Sequence, residues 1–113
     1  MAFDVALGER VRRALAGTPG LTEQQMFGGL CFLVHGHMCA GIVGGTLMVR
    51  TGPEGHAEAL AHPHVRPMDF TGRPMTGMVF VDPPALATEA ELGAWVARGA
   101  RFAATLPPKP AKE

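Results

Sequence analysis

Between Gln24 and Val49 the chain carries no Asp, Glu, Lys or Arg, and any fold must dispose of that stretch. A membrane span would need about 20 consecutive apolar residues in one helix. Here Gly28-Gly29, His35-Gly36-His37 and Gly44-Gly45 cut the segment into short runs. Such runs, bounded by turn residues, have strand length. The pattern predicts a meander of three antiparallel strands, with two-residue turns at His35-Gly36 and Gly44-Gly45. No membrane segment is expected.

Those turns set a register. Val34 should face His37, Cys31 should face Ala40, Val43 should face Thr46, and Cys39 should face Arg50. Because successive strand residues alternate, Cys31, Leu33, Met38, Ala40, Ile42, Leu47 and Val49 share one apolar face, the expected seat for helices. Leu30, Phe32, Val34, His37, Cys39, Gly41, Val43, Thr46, Met48 and Arg50 share the other, which is also mostly apolar. Met78 to Val81 adds a strand apolar on both sides. A sheet with one wet face alternates polar and apolar residues, and this one does not. Uncovered apolar patches beyond a few hundred Å² are rare on soluble monomers. The expectation is a homodimer that covers the spare face, with Phe32, Val34, Val43 and Met48 as the dimer face.

Three helices flank the meander. Phe3, Leu7, Val11, Ala14 and Leu15 fall at helical spacing, predicting a helix over Asp4 to Ala16 with Glu9, Arg10, Arg12 and Arg13 on its polar face. Gly17-Thr18-Pro19-Gly20 ends it. A short helix should follow Arg50, with Pro53 at its first position and His62-Pro63 closing it. The last helix opens with a capping box, Thr88 and Glu91. It then runs as a stripe through Leu92, Trp95, Val96, Gly99, Phe102, Ala103 and Leu106. One domain over residues 1–106 is expected, followed by a disordered Pro/Lys tail over 107–113.

With 10 basic and 10 acidic side chains among 113 residues the formal charge is zero. That balance disfavours a generic polyanion binder, which needs a basic surplus to displace counterions. Two cysteines suit a reducing cytosol rather than a disulfide framework. The first ten residues lack the apolar core of a secretory leader, so a cytoplasmic location is expected.

Chemistry-bearing residues are sparse. Cys31, His35, His37 and Cys39 hold the right atoms for zinc, but the hairpin sends Cys31 and Cys39 to opposite faces and leaves His35 in the turn. They read as core cysteines and turn histidines, with His62 and His64 a second His-x-His pair. A cysteine nucleophile needs a base and an electropositive setting; only Cys39, beside His37 and Arg50, meets both, and it lacks an orienting third group. Asp4, Asp69 and Asp82 sit where caps and turns are made. No glycine-rich phosphate loop of recognised spacing occurs. No catalytic residue, metal or cofactor is assigned. The segment Val65 to Gly77 contains Arg-Pro-Met twice, and its prolines exclude a central strand. Arg66, Arg73 and Arg50, with Asp69 between the first two, form a candidate anion-binding or partner-binding loop. The alternative is a structural crossover whose Arg–Asp pair fixes loop shape.

Met26-Phe27-Gly28-Gly29-Leu30, Leu47-Met48-Val49-Arg50, Arg66 to Met75, Val79-Phe80-Val81-Asp82-Pro83 and Trp95-Val96 resemble the TfoX (Sxy) N-terminal domain family. The resemblance runs from Phe3 to Pro108. It implies an α+β fold of two layers, a curved antiparallel sheet with helices packed on it, similar to secretion-chaperone-like folds. Its namesake regulates natural competence through transcription of DNA-uptake genes, with a further C-terminal helical domain. No catalytic residues are implied. The leading expectation is a non-enzymatic interaction or regulatory domain that binds an unidentified protein partner. A nucleic-acid-associated regulator using Arg10, Arg12 and Arg13 is the competing reading, and a small enzyme or metal-binding protein using Cys39 and His37 ranks third.

Overall fold

A computed structural model describes residues 4–26, 28–67 and 77–106. The element order is α1 (Val5–Ala14), β1 (Leu21–Met26), β2 (Gly29–Val34), β3 (His37–Val43), β4 (Thr46–Arg50), α2 (His56–Leu60), β5 (Val65–Pro67), β6 (Met78–Val81), a 3-10 turn (Pro83–Leu86) and α3 (Glu89–Ala104). The strands form one antiparallel sheet in the order β1-β2-β3-β4-β6-β5. The fold is α+β, as expected. The predicted meander is its centre, extended by two edge strands, β1 and β5, that the sequence did not announce.

Local chemistry accounts for the elements. His35 and Gly36 both take positive φ, 51° and 87°, the geometry of a two-residue hairpin turn whose twist matches the strands. Asp4 caps α1 by accepting a hydrogen bond from the Leu7 amide at 3.1 Å. At Thr88 the capping box is complete: its hydroxyl accepts from the Glu91 amide, and the Glu91 carboxylate accepts from the Thr88 amide. The second helix is later and shorter than expected. Pro53 to Gly55 form a turn, and α2 starts only at His56.

The register departs from the sequence expectation at one point. Val34 faces His37 and Val43 faces Thr46, as anticipated, but Cys31 faces Gly41 and Phe32 faces Ala40. A β-bulge places Cys39 as an extra residue in β3, between Leu33↔Met38 and Phe32↔Ala40. One extra residue inverts the alternation across the pair. Leu30, Phe32 and Val34 therefore pack in the main core with Ala40, Ile42, Leu47 and Val49, beneath Leu7, Val11, Leu92, Trp95 and Val96 of the helices. Cys31 and Leu33 move to the opposite face, with Met38, Val43, Met48, Met78 and Phe80. The expected assignment of β2 is thus reversed. Phe32 and Val34, proposed as half of a dimer face, lie inside a single chain at 0% and 2% exposure. Met48, on the opposite face, is likewise buried within the single chain at 0% exposure, so of the four only Val43 is partly exposed.

Candidate functional site

Two surfaces gather unusual side chains. The first is a groove of about 460 Å³ between the end of α2, the 3-10 turn and the outer face of α3. Trp95 forms its floor. The His62 ring meets the indole edge-on, with centroids 5.1 Å apart and planes at 79°. The Arg98 guanidinium lies 4.8 Å from the indole centroid. Glu58 holds the assembly together: it accepts from Arg98 Nη1 at 2.5 Å and Nη2 at 3.0 Å, and its Oε2 lies 3.1 Å from His62 Nε2. These charge-assisted bonds, Arg98 first and His62 second, hold the Glu58 carboxyl down at about 2. His64, at φ 65°, also lines the groove. Sequence reasoning missed this cluster. The available signal was spacing: Glu58 to His62 and Trp95 to Arg98 each span about one helical turn.

The second surface is the helix-free face of the sheet, the one on which no helix among the described residues packs. Cys31, Met48 and Met78 form its buried centre, rimmed by partly exposed Leu33, Met38, Val43 and Phe80. Gly41 makes room for this packing, because a Cβ there would displace the Met48 methyl and crowd the Leu30 carbonyl oxygen. Along the β5 side of this face Asp82 accepts from Arg66 Nε at 2.7 Å and Nη2 at 2.8 Å, and from the Thr46 hydroxyl at 3.2 Å. Arg66 also lies 5.0 Å from the Phe80 ring centroid. The bidentate arginine lowers the Asp82 pKa.

The residues singled out from sequence do not converge. Arg66 is bound to Asp82, whereas Arg50 lies 5.4 Å from the Phe102 ring centroid of α3. Asp69 and Arg73 lie outside the described residues. Cys31 belongs to the helix-free cluster and Cys39 to the helix-packed core, so the four-residue zinc arrangement is not assembled. No group of three or more His, Cys, Asp or Glu able to hold a metal occurs among the described residues. Cys39 is wholly buried, and desolvation pushes its thiol up to about 11, the opposite of an activated nucleophile. The helical arginines are also engaged. Arg10 donates to Glu89 and to the Leu86 carbonyl, Arg13 donates to Glu89, and Arg12 makes a bidentate pair with Glu23. Among the described residues no helix is long and apolar enough to cross a membrane.

The geometry defines a two-layer α+β domain in which Arg10, Arg12, Arg13, Arg66 and Arg98 are tied into internal ion pairs and in which no described helix packs on one apolar sheet face. A family comparison agrees with the fold: the model of the TfoX N-terminal domain matches residues 13–103. The chain belongs to that family. Comparison with the curated proteins gives no match, and neither does comparison with the solved structures.

Proposed function

We propose that this chain is a non-enzymatic interaction domain of a regulatory kind, working in the cytoplasm by taking an apolar segment of a partner protein onto the helix-free face of its sheet. The observation that carries the reading is the rim of that face: Leu33, Met38, Val43 and Phe80, each partly exposed, around a centre of Cys31, Met48 and Met78 that the chain itself buries, with no described helix packed on it. Unbranched, polarizable methionine side chains adapt to varied apolar surfaces. Membership of the TfoX N-terminal domain family supports a regulatory rather than a catalytic role, and the link to competence is part of this reading. A nucleic-acid role gains little from Arg10, Arg12 and Arg13, whose charges are matched by Glu89, Glu23 and Glu9.

Photoactivatable methionine, incorporated in the native cell, tests the proposal at Met38. The expected result is a cross-link from Met38 to a distinct polypeptide, lost in a Val43→Glu variant whose melting temperature is unchanged. Cross-links confined to this chain, or insensitive to Val43→Glu, overturn it.

A further inference from the structure

The two edges of the sheet are built differently. At one end β5, described over Val65–Pro67, carries Pro67 and a charged, ion-paired Arg66. Proline and charge are ordinary means by which an edge strand is kept from pairing with another chain. At the other end β1 spans six residues, Leu21–Met26, with no proline and no lysine. Its pairing with β2 runs without interruption from Leu21↔Val34 to Met26↔Gly29, so no bulge twists it away. Thr22 to Gln25 are exposed. Its one charge, Glu23, is drawn onto α1 by both Arg12 contacts, at 2.6 and 2.8 Å.

From this asymmetry we infer that β1 is an association edge, and that its occupant is the β1 strand of a second copy of the chain. An antiparallel pair of identical strands is self-complementary about a two-fold axis, so it closes as a dimer rather than growing. Zero net charge sets no long-range repulsion against it. The register follows from parity. A two-fold axis normal to the sheet opposes only residues of the same face. Of the two such registers with the greatest strand overlap, one sets Glu23 against itself, and like charges directly opposite are unfavourable. The other sets Gln24 against the partner's Gln24 and Glu23 against the partner's Gln25.

Backbone geometry agrees with this register. The Gly20 carbonyl accepts from the His35 amide at 3.0 Å. In an antiparallel ladder, bonded positions alternate, which turns the backbone groups of Leu21, Glu23 and Gln25 outward. Glu23 and Gln25 then exchange both backbone hydrogen bonds with the partner's Gln25 and Glu23. Gln24 sits on the axis as a close, non-bonded pair. Both helix layers fall on one side of the doubled sheet and both helix-free faces on the other. This inference is independent of the proposed function, since a monomer could still use that face.

Sedimentation equilibrium of the full chain should show a reversible dimer. Gln25→Pro deletes an outward amide while sparing the β1–β2 ladder, and should weaken association more than tenfold with the circular dichroism spectrum and melting temperature retained. Gln24→Cys should give a covalent dimer on mild oxidation, because non-bonded antiparallel pairs bring Cα atoms to a disulfide-compatible separation. Thr22→Cys, which leaves the Glu23 charge in place and is not opposite itself in this register, should not. A monomer at every soluble concentration overturns the inference. So does a dimer indifferent to Gln25→Pro, or one cross-linked equally by both cysteine variants.

Discussion

Gly99 of α3 rests directly on the backbone carbonyl of Cys39, the extra residue of the β3 bulge. A Cβ at Gly99 would overlap that oxygen, a contact with backbone that no side-chain rotation relieves. The helix can approach the sheet this closely only because the position has no side chain. The bulge also determines which face of β2 the helix meets.

Gly99→Ala should therefore destabilise the fold despite the better helix propensity of alanine. Overpacking of this kind costs about 1–3 kcal/mol, more than the roughly 1 kcal/mol that alanine gains over glycine in a helix. A urea titration read by tryptophan fluorescence measures the net loss. A variant at least as stable as the parent contradicts the close approach.

The acid limb of stability should be carried by paired carboxylates. Arg12 lowers Glu23, Arg98 lowers Glu58 to about 2, Arg66 lowers Asp82, and Arg10 with Arg13 lowers Glu89. A depressed folded pKa gives stability that is present above the unfolded value and lost as pH falls through the folded one. For Glu58 that window runs from its ordinary 4.5 down toward 2. Urea midpoints should hold steady above the window and fall within it. Arg98→Met should flatten the Glu58 part of that fall.

Both cysteines should be slow to alkylate in the folded protein. Each is fully buried, and burial raises both thiols, Cys39 to about 11. Iodoacetamide labelling followed by mass spectrometry should show little modification near neutral pH and double modification in denaturant. Rapid labelling of Cys39 alone in the native state would revive a nucleophilic role.

Thr88→Ala should cost about 1 kcal/mol, the usual loss for an N-cap hydroxyl. Glu91→Ala removes only the return half of the capping box and should cost less. Thermal melts of the two variants against the parent give the comparison.

The sequence made the turns legible and hid the bulge. His35-Gly36 and Gly44-Gly45 are marked by residues that tolerate positive φ, so both hairpins and the pairs beside them follow from chemistry a few residues long. Cys39 carries no such mark. It is one more small apolar residue in a run of them, and only helix packing over Gly99 reveals that two neighbours turn to the same side. β1 was missed because Thr22, Glu23, Gln24 and Gln25 look like a polar loop. An edge strand half bathed in solvent shows little else. The groove was half legible: Trp95 read as core, which it is at 7% exposure, while its partners Glu58 and His62 come from α2 and the turn after it, more than thirty residues earlier in the chain.

The Arg10 side chain ties α1 to the start of α3. Arg10 of α1 donates to the carbonyl of Leu86 and to the carboxylate of Glu89, and α1 packs against α3. During synthesis the first helix emerges with neither its sheet nor its clasp yet translated. It stays amphipathic and unanchored until Leu86, Glu89 and the helix that follows have left the ribosome. A chain stalled before Glu89 would therefore expose the Leu7–Val11 stripe to whatever chaperone or protease reaches it first.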